Sequence, residues 1–499
     1  MMAGIEIEKG PVAGSEGAQA EEVKIAPGVE ITFDRAAERR LRTKIDLMIM
    51  PIICLLYIFC FIDRANIGNA RIAGLDKDLG MVGFDYNATL SMFYVSYIVF
   101  EIPSNILCKL MGPGWFIPLL TVLFGGCSIA TGFVKTVPQI MGVRFLLGVF
   151  EAGMLPGIAY YLSRWYRRSE LTFRLGLYLV MGPLAGAFGG LLASGILNID
   201  SVGSVKSWRM IFVIEGIITT GLGIIGFAIL TDRPESARWL TPEEKKLSEM
   251  RVRSERVGQT RVLDKMDKRK FMLGIFNPIT ISTAWIFLFC NVTVQGLGFF
   301  LPTIIQTIYT DESTITQQLY TVPPYVVGAF VTLLIPLLSW RFDRRQVFMI
   351  VSAPLGITGY IIFLSTANTT ARYAATFLIA SSAFSLGALT NSQVSANVVS
   401  DTARSSAIGV NVALGNIGGL ISTWSFLPFD RPNYPIGNGL NLAVQGSTLV
   451  LATVMLLWMK RDNVKREAAE ASELERLAHL SPEQMEDLDW KHPAFRWRP

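Results

Sequence analysis

The chain has 499 residues, 51% of them apolar and only 17% charged, with a mean hydropathy of +0.41. Soluble domains carry nearer 25% charge, so these values describe a polytopic membrane protein and exclude a soluble enzyme or a nucleic-acid binder. The two histidines, His479 and His492, lie in the polar C-terminal stretch, and the five cysteines are irregularly spaced in or beside apolar runs. No metal site, disulfide framework or cofactor is expected, and any chemistry inside the membrane must run on carboxylates, arginines, amides and hydroxyls.

Residues 1–44 are rich in Gly, Ala and Glu and end in the basic run RAAERRLRTK, which reads as a disordered tail whose basic end anchors the first span. No cleavable signal peptide is expected, because the first apolar run is too long and lacks a cleavage pattern. Runs long enough to cross a bilayer follow near 45–67, 86–109, 115–134, 137–162, 174–197 and 208–230. A charged stretch, 231–277, interrupts them, and six more runs appear near 279–307, 317–340, 346–366, 372–395, 405–428 and 440–459. The organisation is therefore an all-α membrane protein with 12 transmembrane helices. One six-helix bundle occupies 45–230, a central loop 231–277, a second bundle 278–460 and a polar tail 461–499. In the central loop Thr241, Pro242 and Glu244 have the spacing of a capped helix start, expected to be a gate helix.

About 36 of the 45 Lys and Arg residues fall on the side of the N terminus, which puts both termini in the cytosol. The sequons at Asn87 and Asn368 then face outward.

The fourth run, VPQIMGVRFLLGVFEAGMLPGIAYYL, carries Arg144, Gly148 and Glu151 at i, i+4 and i+7, one helix face roughly 10 Å long. An arginine or acid at a helix centre costs about 2.5 to 3.5 kcal/mol even on mild insertion scales, so this face must meet a polar cavity or an opposite charge. Two readings follow: a structural ion pair, or a binding and coupling site for a charged solute. Asp63 and Arg64 end the first span at a depth similar to Arg144, and opposite charges at one depth can pair. The expected arrangement is Asp63 on Arg144, with Glu151 the more isolated acid.

Tyr94, Tyr97 and Glu101 share a face of the second span, Tyr94 as an interfacial or packing residue and Tyr97 deeper. Gly182, Gly186, Gly190 and Ser194 give the fifth span a small face for close packing, with Pro183 permitting a bend. Glu215 opens the sixth span and reads as structural. In the second half the polar residues are uncharged amides, Gln295, Asn391, Gln393, Asn411 and Asn416, suited to hydrogen-bonding a solute or bridging helices.

The turn PLLSWRFDRR, with Ser339 four residues before Asp343 and Arg344, resembles the loop signature of the major facilitator superfamily. Its first-half counterpart keeps Lys109 but has Cys108 at the acidic position. Further motifs are FIDRANIGNA from Phe61, RFLLGVFEAG from Arg144, WRMIFVIEG from Trp208, DRPESARWL from Asp232 and PAFRW from Pro493. Together they resemble the anion:cation symporter family, in particular its fungal allantoate and nicotinate permease branch.

The resemblance implies the major facilitator fold and uptake of a small organic anion, a carboxylate such as a vitamin, nicotinate or allantoate, coupled to protons. Asp63, Glu151 and Glu101 would serve proton coupling, and Arg64, Arg144 and Tyr97 would bind substrate. Gln295, Asn411 and Asn416 would add neutral recognition, and Lys109, Asp343 and Arg344 would form the gate. An exporter of a toxin or secondary metabolite would use the same fold. A membrane sensor would need catalytic or docking motifs in the cytosolic segments, which are not seen. The expected setting is the plasma membrane, with the protein acting as a monomer.

Overall fold

Four helix starts in the second half of the chain are fixed by short polar side chains set just ahead of them. Asn277 accepts from the backbone N–H of Ile279 at 2.8 Å with Pro278 next to it, and Ser313, Asn368 and Ser400 cap later helices in the same way. The computed structural model describes residues 21–26, 29–33, 35–166, 170, 174, 177–178, 180–199, 201–202, 205–254, 268–477, 479, 484–485 and 488–499.

The first half comprises α1 (Arg35–Ile72), α2 (Asp85–Met111), α3 (Pro113–Thr131), α4 (Val137–Glu151) continued by α5 (Met154–Trp165), α6 (Met181–Leu197) and α7 (Trp208–Ile229). Two connecting helices follow, α8 (Pro242–Ser254) and α9 (Lys268–Ile275). The second half comprises α10 (Pro278–Ile308), α11 (Thr314–Phe342), α12 (Arg345–Ser365), α13 (Thr369–Ala396), α14 (Asp401–Ser422) and α15 (Pro435–Arg476). Among the described residues 11 helices are long and apolar enough to cross a membrane, and α6 is a shorter apolar helix that completes the first six. The expected start of the fifth span falls partly outside the described residues. Two short antiparallel strand pairs, Glu21–Ala26 with Val29–Phe33 and Ser201–Val202 with Val205–Lys206, lie outside the bundles.

The halves meet along three helix pairs: α1 with α10, α2 with α14, and α6 with α11. The face where α1 begins and α15 ends is called here the terminal face, and the opposite one the distal face. Interhalf hydrogen bonds concentrate toward the distal face. The Tyr86 hydroxyl donates to the Phe299 carbonyl (3.2 Å), Asn87 to the Thr423 carbonyl (2.6 Å), Trp424 to Ser91 (2.9 Å) and Gln318 to the Asn69 carbonyl (3.3 Å). Asn87 is fully buried by this bond, so its sequon is committed to packing, whereas Asn368 is exposed and caps α13. One further bond, from Asn416 to Glu101 at 2.8 Å, joins the halves nearer the terminal face.

Two expectations about the ends change. The tail expected to be disordered through residue 44 is helical from Arg35, because Ala, Arg, Glu and Leu in RAAERRLRTK are strong helix formers that carry α1 about 57 Å in length, beyond the bilayer; residues 1–20 lie outside the described residues. Lys44 on this extension bonds Glu244 at 2.7 Å. Glu244 closes the expected capping box by accepting from the Thr241 N–H at 2.9 Å. At the other end α15 runs for 42 residues, and the chain after it returns to the bundle.

The small face of α6 lies on α11. A Cβ built at Gly186 would stand 2.6 Å from the Tyr325 ring, and one at Gly190 2.6 Å from the Thr321 hydroxyl, while one at Gly182 would meet only the Phe61 ring at 3.6 Å. Gly186→Val should therefore lower thermal stability by the ~1–3 kcal/mol typical of overpacking, whereas Gly182→Ala should leave the melting midpoint in detergent unchanged.

Candidate functional site

Gly148 sits one turn from both Arg144 and Glu151, and a Cβ there would run into the Ser96 hydroxyl and the Phe93 carbonyl of α2. That close approach brings the charged face of α4 against α2 and the end of α1. Arg64 donates from Nη2 to Glu151 Oε2 at 2.8 Å and from Nε to the same oxygen at 3.1 Å. The guanidinium is enclosed by the rings of Phe61 and Phe93, each 4.9 Å away, and Tyr97 at 5.3 Å. Arg64 is 8% exposed and Glu151 fully buried. Taking both charges out of water is costly, and the pair is sustained by their mutual bond and by the π faces that replace the arginine's hydration.

The expected partnership is corrected at this point. Asp63 does not pair with Arg144; its carboxylate accepts from Ser128 Oγ on α3 at 2.8 Å and from Thr219 Oγ1 on α7 at 3.0 Å. Glu151, expected to be the isolated acid, holds the ion pair instead. Consecutive helical residues point about 100° apart, so Asp63 and Arg64 share a depth but face different neighbours. Arg144 is 2% exposed, donates from Nη1 to the Arg64 carbonyl at 3.2 Å, and leaves Nε and Nη2 without partners. The second oxygen of Glu151 and both oxygens of the fully buried Glu215 are also without hydrogen-bond partners.

Of the other residues singled out in the sequence, Tyr97 joins the Arg64 cage and Glu101 bonds Asn416 across the halves. Asn411 donates to Asn391 at 2.9 Å and keeps its own oxygen unpartnered; Gln295 is half-buried. Gln393 is committed to the Arg498 carbonyl at 3.0 Å. Tyr94 packs at the interhalf contact, on Phe299 and beside Gly419. Lys109 and Arg344 are exposed on the terminal face, and Asp343, a left-handed helix cap with φ 50°, pairs with Arg345 at 3.0 Å. An apolar groove of about 520 Å³ between α10 and α15, lined by Phe289, Gly446, Val450 and Val454, carries no charged side chain and is no part of this cluster.

Three groups escaped the sequence reading. Ser128 and Thr219 carry no motif that marks them as ligands of Asp63. Asp232, the first residue of the DRPESARWL motif, accepts from Arg164 with both oxygens at 2.7 Å and from the Gly114 N–H at 3.4 Å, which ties α5, α3 and the chain after α7 together on the terminal face. It supplies the acid that position 108, a cysteine, lacks.

Two six-helix halves around a buried charge cluster confined to one of them define a membrane transporter. The family model described as Major Facilitator Superfamily matches residues 53–423, and the chain belongs to that superfamily. An uncharacterized transporter of Schizosaccharomyces pombe is 31% identical over 93% of this chain and 91% of its own length. The high-affinity nicotinic acid transporter of Saccharomyces cerevisiae is 31% identical over 86% of this chain and 80% of its own. Among solved structures, the bacterial homolog of the human lysosomal transporter Spinster, in its inward-facing and unoccupied conformation, aligns with a TM-score of 0.62 at 16% identity, covering 84% of this chain and 96% of that one.

The revised pairing makes a direct prediction. Arg64→Gln or Glu151→Gln alone strands a buried group and should destabilise the protein by about 3 to 5 kcal/mol, whereas the double variant should recover most of that loss. The equivalent cycle on Asp63 and Arg144 should show weak coupling. Melting midpoints of the six variants and the parent, purified in detergent, would reveal the reverse pattern if Asp63 and Arg144 were the working pair.

Proposed function

We propose that this protein is a proton-coupled importer of a small organic anion, of the anion:cation symporter type, working as a monomer in the plasma membrane with its terminal face cytosolic. The observation that carries the reading is the state of the two arginines. The fork of Arg64 is occupied by an internal carboxylate, Glu151, while Arg144 beside it keeps two donors free. A substrate carboxylate is chemically the same ligand as Glu151. Planar arginine forks bind carboxylates with two parallel donors, a geometry that lysine lacks.

Coupling follows from that competition. While Glu151 is ionised it holds Arg64; when it takes up a proton the bond weakens and the fork of Arg64 is released to an anion. The proton and the anion therefore enter together, and the net charge of the buried cluster is conserved. Asp63, held by two hydroxyls, is a second proton site in the same half, and Glu101 a third where the halves touch. Asn411, Asn416 and Gln295 supply neutral hydrogen-bonding groups from the other half. Lys109, Asp343 and Arg344 stand on the face that closes when the distal seal opens. The similarity to a nicotinic acid transporter supports a carboxylate substrate. It does not fix which one.

Uptake of a panel of radiolabelled carboxylates by cells expressing the protein should rise as external pH falls, because more Glu151 is then protonated. Arg144→Lys and Arg64→Lys should each weaken apparent affinity at least about tenfold, the value of one lost charge-assisted bond. Glu151→Gln, a mimic of the protonated acid, should retain counterflow exchange and lose accumulation. A Glu151→Gln protein that still concentrates substrate in step with the pH gradient would remove Glu151 from coupling.

A further inference from the structure

The PAFRW motif near the C terminus has no part in the charge cluster, yet the structure gives it a dense set of partners. After α15 the chain returns, and residues 489–499 lie across the terminal face of the second half. Trp497 is 2% exposed; its indole N–H donates to Asp462 at 2.7 Å, and its backbone exchanges bonds with Asn463 at 2.8 and 2.9 Å. Around it pack Trp458, Trp490, Phe495, Met459 and Ile279. The Arg498 N–H donates to Asn397 at 2.8 Å, and its carbonyl accepts from Asn397 and Gln393, each at 3.0 Å. The Arg345 N–H, at the start of α12, donates to the Pro499 carbonyl at 3.0 Å. Trp490 donates to the Leu273 carbonyl of α9 at 2.9 Å.

Asp489 holds the near end. Its backbone lies in the left-handed region at φ 51°, a conformation unusual outside glycine, and its carboxylate accepts from the N–H groups of Val399 (3.1 Å) and Ser400 (2.8 Å) just ahead of α14. Asn397 is the hub: besides Arg498 it donates to the Gln393 carbonyl, and its own carbonyl accepts from Asn277 at the start of α10. The strand of chain therefore touches the terminal-face ends of α10, α12, α13, α14 and α15. The partners named here all belong to the second half or to α9 beside it.

We propose that residues 489–499 are a constitutive strap that fastens these helix ends into one mechanical unit and stays docked in every state of the transporter. Movement of one half against the other leaves these bonds intact, since none of them spans the two halves, whereas the distal bonds such as Asn87 to Thr423 must part. A buried tryptophan and backbone donors met by buried amides are the features of a permanent contact. The strap also explains why Gln393 and Asn397, amides at the terminal-face end of α13, are unavailable to a solute.

Hydrogen–deuterium exchange on the full chain in detergent tests both parts of the proposal. In the parent protein the amides of Trp497 and Arg498 should exchange as slowly as those of the neighbouring turn of α15, in a single population. Trp497→Ala should raise exchange about tenfold or more at Arg345, Val399 and Ser400 together, although Trp497 bonds none of them. Arg498→Pro, which removes the N–H that meets Asn397 together with an exposed side chain and leaves the Trp497 ring in place, should give a smaller loss at the same three amides and covers the case in which the alanine variant fails to fold. Rapid or two-population exchange at Trp497 and Arg498 in the parent would show a strap that undocks. Faster exchange confined to 489–499 in the variants would show a tail that fastens nothing. Either result overturns the proposal, and neither bears on the substrate or on proton coupling.

Discussion

The bond between Arg64 and Glu151 is the constraint to which the first half is fitted. Two charges placed in an apolar bundle must meet each other, and everything near them serves that meeting. Gly148 lets α4 approach α2, Phe61, Phe93 and Tyr97 cover the guanidinium, and Arg144 is held on the Arg64 carbonyl rather than on an acid. Among the described residues the second half shows no comparable ion pair at its core. There, buried hydroxyls and amides bridge helices, as in the contact of Thr293 with Asn441 at 3.1 Å and that of Gln445 with Thr293 at 3.3 Å. Such neutral bonds are weaker, and they survive a change of shape without stranding a charge.

Much of this was legible in the sequence because a membrane imposes length and polarity on every span. Twelve apolar runs, the charged interruption between them and the shared face of Arg144, Gly148 and Glu151 all follow from periodicity. The pairing did not. Depth in the bilayer can be counted along a helix, but which neighbour a side chain meets depends on the rotation and packing of several helices, and that is not written locally. Asp63 and Arg64 show the difference: adjacent in sequence and level in depth, they turn to separate partners. Ser128 and Thr219 were invisible for a related reason, since hydroxyls are common in membrane helices and most of them bond their own backbone, as Thr131 bonds the Cys127 carbonyl.

The N-terminal end of the chain was misjudged by composition, and the C-terminal one was read only as a polar tail. Polar, charged stretches at both termini look like solvated tails, yet the N-terminal one extends α1 and the C-terminal one folds back on the bundle. In the second case the informative signal was the density of aromatic residues, Trp490, Phe495 and Trp497 within ten positions, which a solvated tail has no reason to carry. The acid of the first-half network was displaced in a similar way: position 108 is Cys, and Asp232, far along the chain, occupies the space beside Arg164.

The fourth span is interrupted at Ala152 and Gly153, so that α4 ends on Glu151 and α5 begins three residues later. A rod jointed at that point behaves as a lever. Its fulcrum lies at the carboxylate that grips Arg64, and its terminal-face arm, the 12 residues of α5, measures about 18 Å. At the tip of the arm sits Arg164, clasping Asp232 on the terminal face. A tilt of a few degrees at the fulcrum becomes a displacement of an ångström or more at the tip, large enough to make or break a hydrogen bond. The ion pair of Glu151 with Arg64 and that of Arg164 with the half-buried Asp232 thus sit at the two ends of a single piece of helix.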